Sequence, residues 1–152
     1  MISLYRPQLQ DLWFRQSLLE DEETMSYNHA WGGAIPFPAE KWADWYEWWM
    51  GDPNRYYRYV VNETGEWVGE IAYHYDEDLG GYVANVIVHA RYRGRGYGGQ
   101  ALDALCRKAL ENGIDVLYDD IARDNKAKGM FERRGFVEVG RTEDKIILKK
   151  IL

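Results

Sequence analysis

The residues with the most chemistry to offer sit in one run, positions 85–109, reading NVIVHARYRGRGYGGQALDALCRKA. Arg91, Arg93 and Arg95 are interleaved there with Gly94, Gly96, Gly98 and Gly99, in a chain whose formal net charge is −6. Glycines let backbone N–H groups approach an anion closely, and the start of a helix adds unpaired donors and the positive end of a dipole. An apolar strand ends near Val88. Beyond the loop, Ala101, Leu102, Leu105, Ala109 and Leu110 fall at helical spacing until Asn112-Gly113 stops the helix. Strand, basic glycine loop and helix in that order read as a phosphate cradle.

Gly94-Arg95-Gly96-Tyr97-Gly98-Gly99 also satisfies the G-x-G-x-x-G pattern of dinucleotide-binding folds, with Asp119 and Asp120 downstream at the distance of a ribose contact. Such folds begin with the loop, whereas here most of the chain precedes it. A P-loop is excluded because no Gly-Lys-Ser/Thr follows.

A second pattern fits more of the chain. Arg93-x-x-Gly96-x-Gly98, between the strand ending Val88-His89-Ala90 and an amphipathic helix, resembles the acetyl-CoA pyrophosphate loop of the GNAT (Gcn5-related N-acetyltransferase) superfamily. Downstream, Asp124-Asn125-Lys126-Ala127 followed by Met130-Phe131-Glu132-Arg133-Arg134-Gly135-Phe136 is similar to that family's Asn…Ala…Leu-Tyr-Glu-Lys-x-Gly-Phe signature. The resemblance covers the chain from Tyr56 onward and departs from the family at two points. Phe131 stands where many members carry a tyrosine thought to protonate the leaving thiolate, and Asn125 sits one residue closer to Gly135-Phe136 than is usual.

The resemblance implies an α+β fold, GNAT-like, with a mixed, mostly antiparallel central sheet, a parallel splayed strand pair and flanking helices. It implies acetyl-CoA as co-substrate. Backbone groups at Val86 and Val88 would hold the amide-rich pantetheine arm as an added strand holds to a sheet edge. Arg93, Gly94, Arg95, Gly96, Tyr97, Gly98 and Gly99 would hold the pyrophosphate, with Arg91 or Arg95 free for the ribose phosphate. Asn125 and Phe131 would complete the coenzyme site.

Acetyl transfer to an amine needs a group that takes the nucleophile's proton, a donor for the oxyanion and a proton for the thiolate. Asp119 and Asp120, at the end of a predicted core strand, are the first candidates for the base. Neighbours in a strand face opposite ways, so one of them is expected in the cleft, and Asp120 is the residue assigned to it. Glu70, His74 and His89 are further candidates. A backbone N–H near Val88 would polarise the carbonyl. Phe131 has no proton to give, which leaves Tyr97, Tyr118, Tyr82 or water as the acid. No metal is called for.

The elements that must position these groups follow from periodicity. Ile2 to Tyr5 reads as a first strand, and Leu9, Leu12, Trp13 and Leu19 trace a helical face. Positions 24–38 read as an irregular loop rich in rings, whose Tyr27 and Trp31 are expected to wall an acceptor pocket. Trp42, Trp45, Tyr46 and Trp49 recur at helical spacing and dock on the sheet, which leaves Trp48 off the stripe as a further substrate-facing ring. From Arg55 the period becomes two, giving an antiparallel meander whose last strand feeds the glycine loop. IDVLYDDI is then a strand parallel to YVANVIVHA, a short helix spans 125–134, and FVEVGR and KIILKKIL form a closing hairpin.

With 152 residues the chain reads as a single domain, 1–152. Cys106 is the only cysteine, which fits a reducing compartment, and no stretch approaches membrane-spanning length. The sequence therefore predicts a cytoplasmic protein without nucleic-acid or membrane partners, monomer or homodimer. The predicted activity is transfer from acetyl-CoA to a primary amine by direct attack. The acceptor is expected to be small and cationic, such as a polyamine, aminoglycoside or amino-acid derivative, with acidic Asp21, Glu22 and Glu23 beside the aromatic loop. A peptide amine is the alternative acceptor. A CoA-binding sensor without turnover, suggested by Phe131, and a dinucleotide-binding module are the alternative functions.

Overall fold

The computed structural model describes residues Met1–Leu152. Seven strands form one sheet in the order β1-β2-β3-β4-β5-β7-β6. They are β1 (Ser3–Tyr5), β2 (Arg55–Val61), β3 (Trp67–Asp76), β4 (Gly81–Val88), β5 (Val116–Ala122), β6 (Val137–Arg141) and β7 (Lys145–Ile151). Every neighbouring pair is antiparallel except β4 and β5, which run parallel. The α+β class and the mixed sheet expected from the sequence are the ones observed.

Alternation along the strands sends apolar side chains to both faces, and each face is covered. On one side α3 (Tyr97–Glu111) and α4 (Lys128–Arg133) pack over a core that includes Ile71, Tyr73, Ala84, Leu117, Ile121 and Leu148. Ala101, Leu102, Leu105, Cys106 and Ala109 supply the helical half of that core, and Cys106 is a buried free thiol. On the other side lie α1 (Trp13–Leu19), a 3-10 segment (Thr24–Trp31) and α2 (Trp42–Met50), packed on Tyr57, Tyr59, Ala72 and Ile87. Trp42, Trp45, Tyr46 and Trp49 do dock on this second core.

Two local readings are corrected. The helical face of the N-terminal segment is set by Leu12, Phe14, Leu18 and Leu19, while Leu9 and Trp13 are exposed. Residues Leu9–Leu12 wind as a 3-10 turn, and its tighter three-residue period rotates the buried face away from the one a continuous α-helix would present. The first half of the ring-rich loop is likewise a 3-10 helix rather than irregular.

The pairing between β4 and β5 decides where a ligand can enter. It consists of two rungs, Tyr82↔Leu117 and Val83↔Tyr118, after which the strands diverge towards their carboxyl ends. On its other side β4 stays fully paired with β3, and the His89 N–H still reaches the Val68 carbonyl. In an antiparallel ladder successive residues point their polar groups to opposite neighbours. With His89 turned to β3, the backbone groups of Val86 and Val88 are turned to the side where β5 has departed.

Candidate active site

A cavity of about 690 Å³ occupies the fork between β4 and β5. Asn85, Val86, Ile87 and Val88 line it from β4, Asp119, Asp120, Ile121 and Ala122 from β5. Gly98 of α3, Asn125 of the loop after β5, and Met130 and Phe131 of α4 close one side, and Tyr27 and Trp31 close the other. A second hollow of about 470 Å³ adjoins it on the α1 face, sharing Tyr27, Trp31, Asn85, Ile87 and Asp120 and adding Arg15, Asp144 and Lys145. The fork cavity is lined from both faces of the two strands.

At the Gly98 end of the cavity the loop exposes backbone amides. Gly94 and Gly96 have φ of +78° and +84°, a region that excludes most side chains, and a Cβ on Gly98 would project between Met130 and Val88. The first N–H of α3 with a backbone acceptor is that of Gln100, which reaches the Gly96 carbonyl, so the preceding amides from Gly94 to Gly99 have no acceptor in the protein. Six unpaired amides, three in the loop and three in the first turn of α3, are donors available to an anion such as a diphosphate.

The arginines do not share this task equally. Arg93 spends its guanidinium on the Glu23 and Thr24 carbonyls and its N–H on the Ala90 carbonyl, so it ties the Thr24–Trp31 segment to the loop instead of reaching outward. Arg91 and Arg95 stay exposed, both over the Tyr92 ring, and are free to meet a phosphate. Gly99 is needed for packing as well, because the Arg134 guanidinium lies where its Cβ would stand, donating to the Gly99 carbonyl and pairing with Asp103.

A sequence model described as the acetyltransferase (GNAT) family matches residues 12–136. The chain belongs to the GNAT acetyltransferase family. Its members use acetyl-CoA as acyl donor. No curated protein matches it by sequence. Among solved structures it is similar to spermidine N-acetyltransferase from Vibrio cholerae in complex with CoA and spermine, at 19% identity and TM-score 0.83 over 99% of this chain and 95% of that one. It is also similar to ribosomal-protein-alanine N-acetyltransferase from Brucella melitensis, at 22% identity and TM-score 0.76 over 100% of this chain and 99% of that one. An N-acetyltransferase from Staphylococcus aureus Mu50 gives 17% identity and TM-score 0.78 over 99% and 98%.

In this acetyltransferase the candidate side chains separate into those at the fork and those away from it. Asp119 and Asp120 both line the cavity, contrary to the expectation that only one would, because the cavity crosses the sheet and reaches both faces of β5. Asp119 is 7% exposed, and burial, with the Asp120 charge adding, pushes its pKa well above the ordinary carboxyl value. Asp120 is half-buried and 3.3 Å from the Lys145 ammonium. Tyr27 lines both spaces, and burial, with Glu70 and Asp119 adding, pushes its phenol upward, so it is neutral. Asn125 uses its side-chain oxygen to accept the Ala127 N–H at 2.8 Å, shaping the turn into α4. Phe131 is buried edge-on against Phe136 and turns toward the cavity a surface without a proton.

Several candidates lie elsewhere. Tyr97 is buried in the α3 core with its hydroxyl donating to Glu63 in the β2–β3 turn, so the first residue of α3 points away from the fork. Tyr82 donates to Asn54, and Tyr118 packs against Gly81 and Lys149. Trp48 is 62% exposed, lies over Arg55, and sits in a shallow depression with Asp44, Glu47 and Asp52, outside both spaces. Being off the docking stripe of α2 exposed it, but on the side away from the fork. His74 packs on Trp49, and His89 accepts the Arg91 N–H with Asp21 nearby.

Sequence reasoning missed Arg15. Its guanidinium bonds both oxygens of buried Glu70 at 2.8 Å and lies 4.4 Å from the Trp45 ring centroid, lining the hollow on the α1 face. Burial opposes its charge, but Glu70 and Tyr57 together hold its pKa above the usual guanidinium value. The sequence carried a signal: Arg15 is three residues from Leu12 and from Leu18, on the face that is otherwise apolar.

Proposed function

We infer that this acetyltransferase moves an acetyl group from acetyl-CoA to the primary amine of a small cationic molecule, by direct attack of the amine on the thioester. One observation carries the reading: the cavity at the β4–β5 fork reaches both faces of the sheet and adjoins the hollow on the α1 face, with unpaired loop amides at one end and rings and carboxylates at the other. Backbone groups of Val86 and Val88 bind the pantetheine arm, the amides from Gly94 to Gly99 bind the pyrophosphate, and Asn125 and Phe131 bound the arm on the α4 side. The Val88 N–H polarises the thioester carbonyl. Tyr27 and Trp31 offer ring faces to a cationic acceptor. Asp120 takes the proton of the attacking nitrogen. The spermine held by the Vibrio cholerae relative is in line with a polyamine acceptor.

The test is release of free thiol from acetyl-CoA across a panel of polyamines, aminoglycosides, amino-acid derivatives and peptide N-termini. Turnover on a small cationic amine is expected, with Asp120→Asn lowering kcat/KM by about 10²–10⁴-fold and leaving CoA affinity unchanged. Turnover confined to peptides would replace the acceptor class. Tight CoA binding with no turnover on any amine would favour the sensor reading that Phe131 supports.

A further inference from the structure

Asp119 and Asp120 are consecutive, yet their surroundings differ in kind. Asp120 lines both the fork cavity and the acceptor-side hollow, next to Lys145. Asp119 lines the fork cavity alone, on the face that carries Val88, Met130 and Phe131. No side-chain hydrogen bond reaches its carboxyl, and the Asp120 backbone N–H lies beside it. On the face where the sulfur of a bound pantetheine arm would arrive, Asp119 is the carboxyl that the strands themselves supply, set among Val88, Met130 and Phe131.

We propose that the two neighbours divide the proton traffic of each turnover, Asp119 on the coenzyme face giving the departing sulfur its proton and Asp120 on the acceptor face taking the one the amine loses. The proposal deepens the amine-acetylation reading and rests on it. Three tyrosines are removed as competitors by their partners or place, since Tyr97 is turned to Glu63, Tyr82 to Asn54, and Tyr118 lies outside the cavity. Burial keeps Asp119 protonated above the ordinary carboxyl range, and the Asp120 charge adds to this. The other charged or titratable groups facing the cavity are Tyr27 and His29 of the Thr24–Trp31 3-10 segment and Arg93, Asp124 and Lys126 of the loops. β7 places Leu148 opposite Asp119, and α4 contributes Met130 and Phe131.

The step balances without a further reactant. An ammonium acceptor first loses one proton to solvent. Its nitrogen lone pair forms the C–N bond, Asp120 takes the proton that this nitrogen then sheds, and the C–S bond breaks. The sulfur's electron pair takes the Asp119 proton. Passage of a proton from Asp120 back to Asp119 through cavity water resets both, leaving amide and free thiol.

Two measurements test the assignment. Isotope-edited infrared spectra of the protein without acceptor should show a protonated-carboxyl band at pH 7 that is absent in Asp119→Asn. Its absence from the wild type would overturn the proposal whatever the acceptor proves to be. With the best amine of the panel, Asp119→Asn should lower kcat/KM by about 10²–10⁴-fold. It should also abolish the limb on which the wild-type rate falls as pH rises. That deficit should largely vanish with the selenoester analogue of acetyl-CoA, whose selenolate leaves without protonation, and Asp119→Glu should restore part of the rate with the thioester. An equal deficit with both donors would mean a structural role and would sink the idea. So would the same donor dependence in Tyr27→Phe but not in Asp119→Asn, which would assign the proton to Tyr27.

Discussion

An isosteric Asn at position 119 separates the proposed part of this carboxyl in the reaction from what it costs the fold. Its raised pKa means that the native state keeps a proton that the unfolded chain gives up near pH 4. Between that value and the raised one the native state binds more protons, so the contribution of Asp119 to stability falls as pH rises. Asp119→Asn, which does not ionise, is expected to melt a few degrees above the wild type at pH 8 and to lose most of that advantage at pH 4. Scanning calorimetry at the two values checks this, and an equal difference at both pH values would contradict it. Side-chain direction was the part of the site least legible beforehand. The glycine loop fixed where Tyr97 would lie but not that its hydroxyl would turn to Glu63, because the first residue of a helix faces whatever the preceding loop geometry dictates. Asp119 and Asp120 were found by their place at the end of a strand. The parting of the strands was expected, but that both carboxylates would line the cavity depended on its reaching both faces of β5, which strand alternation alone does not reveal.

At the scale of elements, the strand–loop–helix unit from β4 to α3 was readable in full, since period-two alternation, glycines at positive φ and helical spacing each announce themselves locally. The 3-10 segments were not, because a three-residue period in a short stretch leaves too few repeats to distinguish from a loop. The loop makes the most direct prediction. Gly96→Val forces a β-branched residue to φ +84° and crowds the amides that form the cradle. CoA affinity is expected to fall by about tenfold or more, in keeping with about 1–2 kcal/mol of backbone strain. Calorimetric titration reads this directly, and unchanged affinity would remove the loop from the coenzyme site. Gly69 in β3 matters for a different reason: a Cβ there would run into the Ile87 carbonyl, so its absence lets the end of β4 lie close enough for Val88 to sit at the fork.

Across the whole molecule, the two faces of the sheet are held by different chemistry. The α3 face is hydrocarbon and aromatic packing, whereas the α1 face is built around the Arg15–Glu70 pair enclosed by Phe37, Trp45 and Tyr57. Removing one member of a buried pair leaves the other charged and uncompensated, which costs about 3–5 kcal/mol. Arg15→Ala should therefore lower Tm by about 10 °C, and Arg15→Met with Glu70→Leu together should recover much of the loss; a melting point unmoved by Arg15→Ala would refute the account. The strand order explains why topology was only partly foreseeable. Each hairpin declares itself by its turn, but β7 inserting between β5 and β6 is a long-range choice made by the apolar faces of β5 and β7 meeting as Leu117, Asp119 and Ile121 oppose Lys150, Leu148 and Ile146. The brevity of the β4–β5 contact also has a mechanical side. Four strands on one side and three on the other are joined by two rungs, Tyr82↔Leu117 and Val83↔Tyr118, so the sheet resembles two plates sharing a narrow hinge. A molecule lodged in the gap would act as a rivet between two plates that otherwise meet through these rungs and the shared core beneath α3.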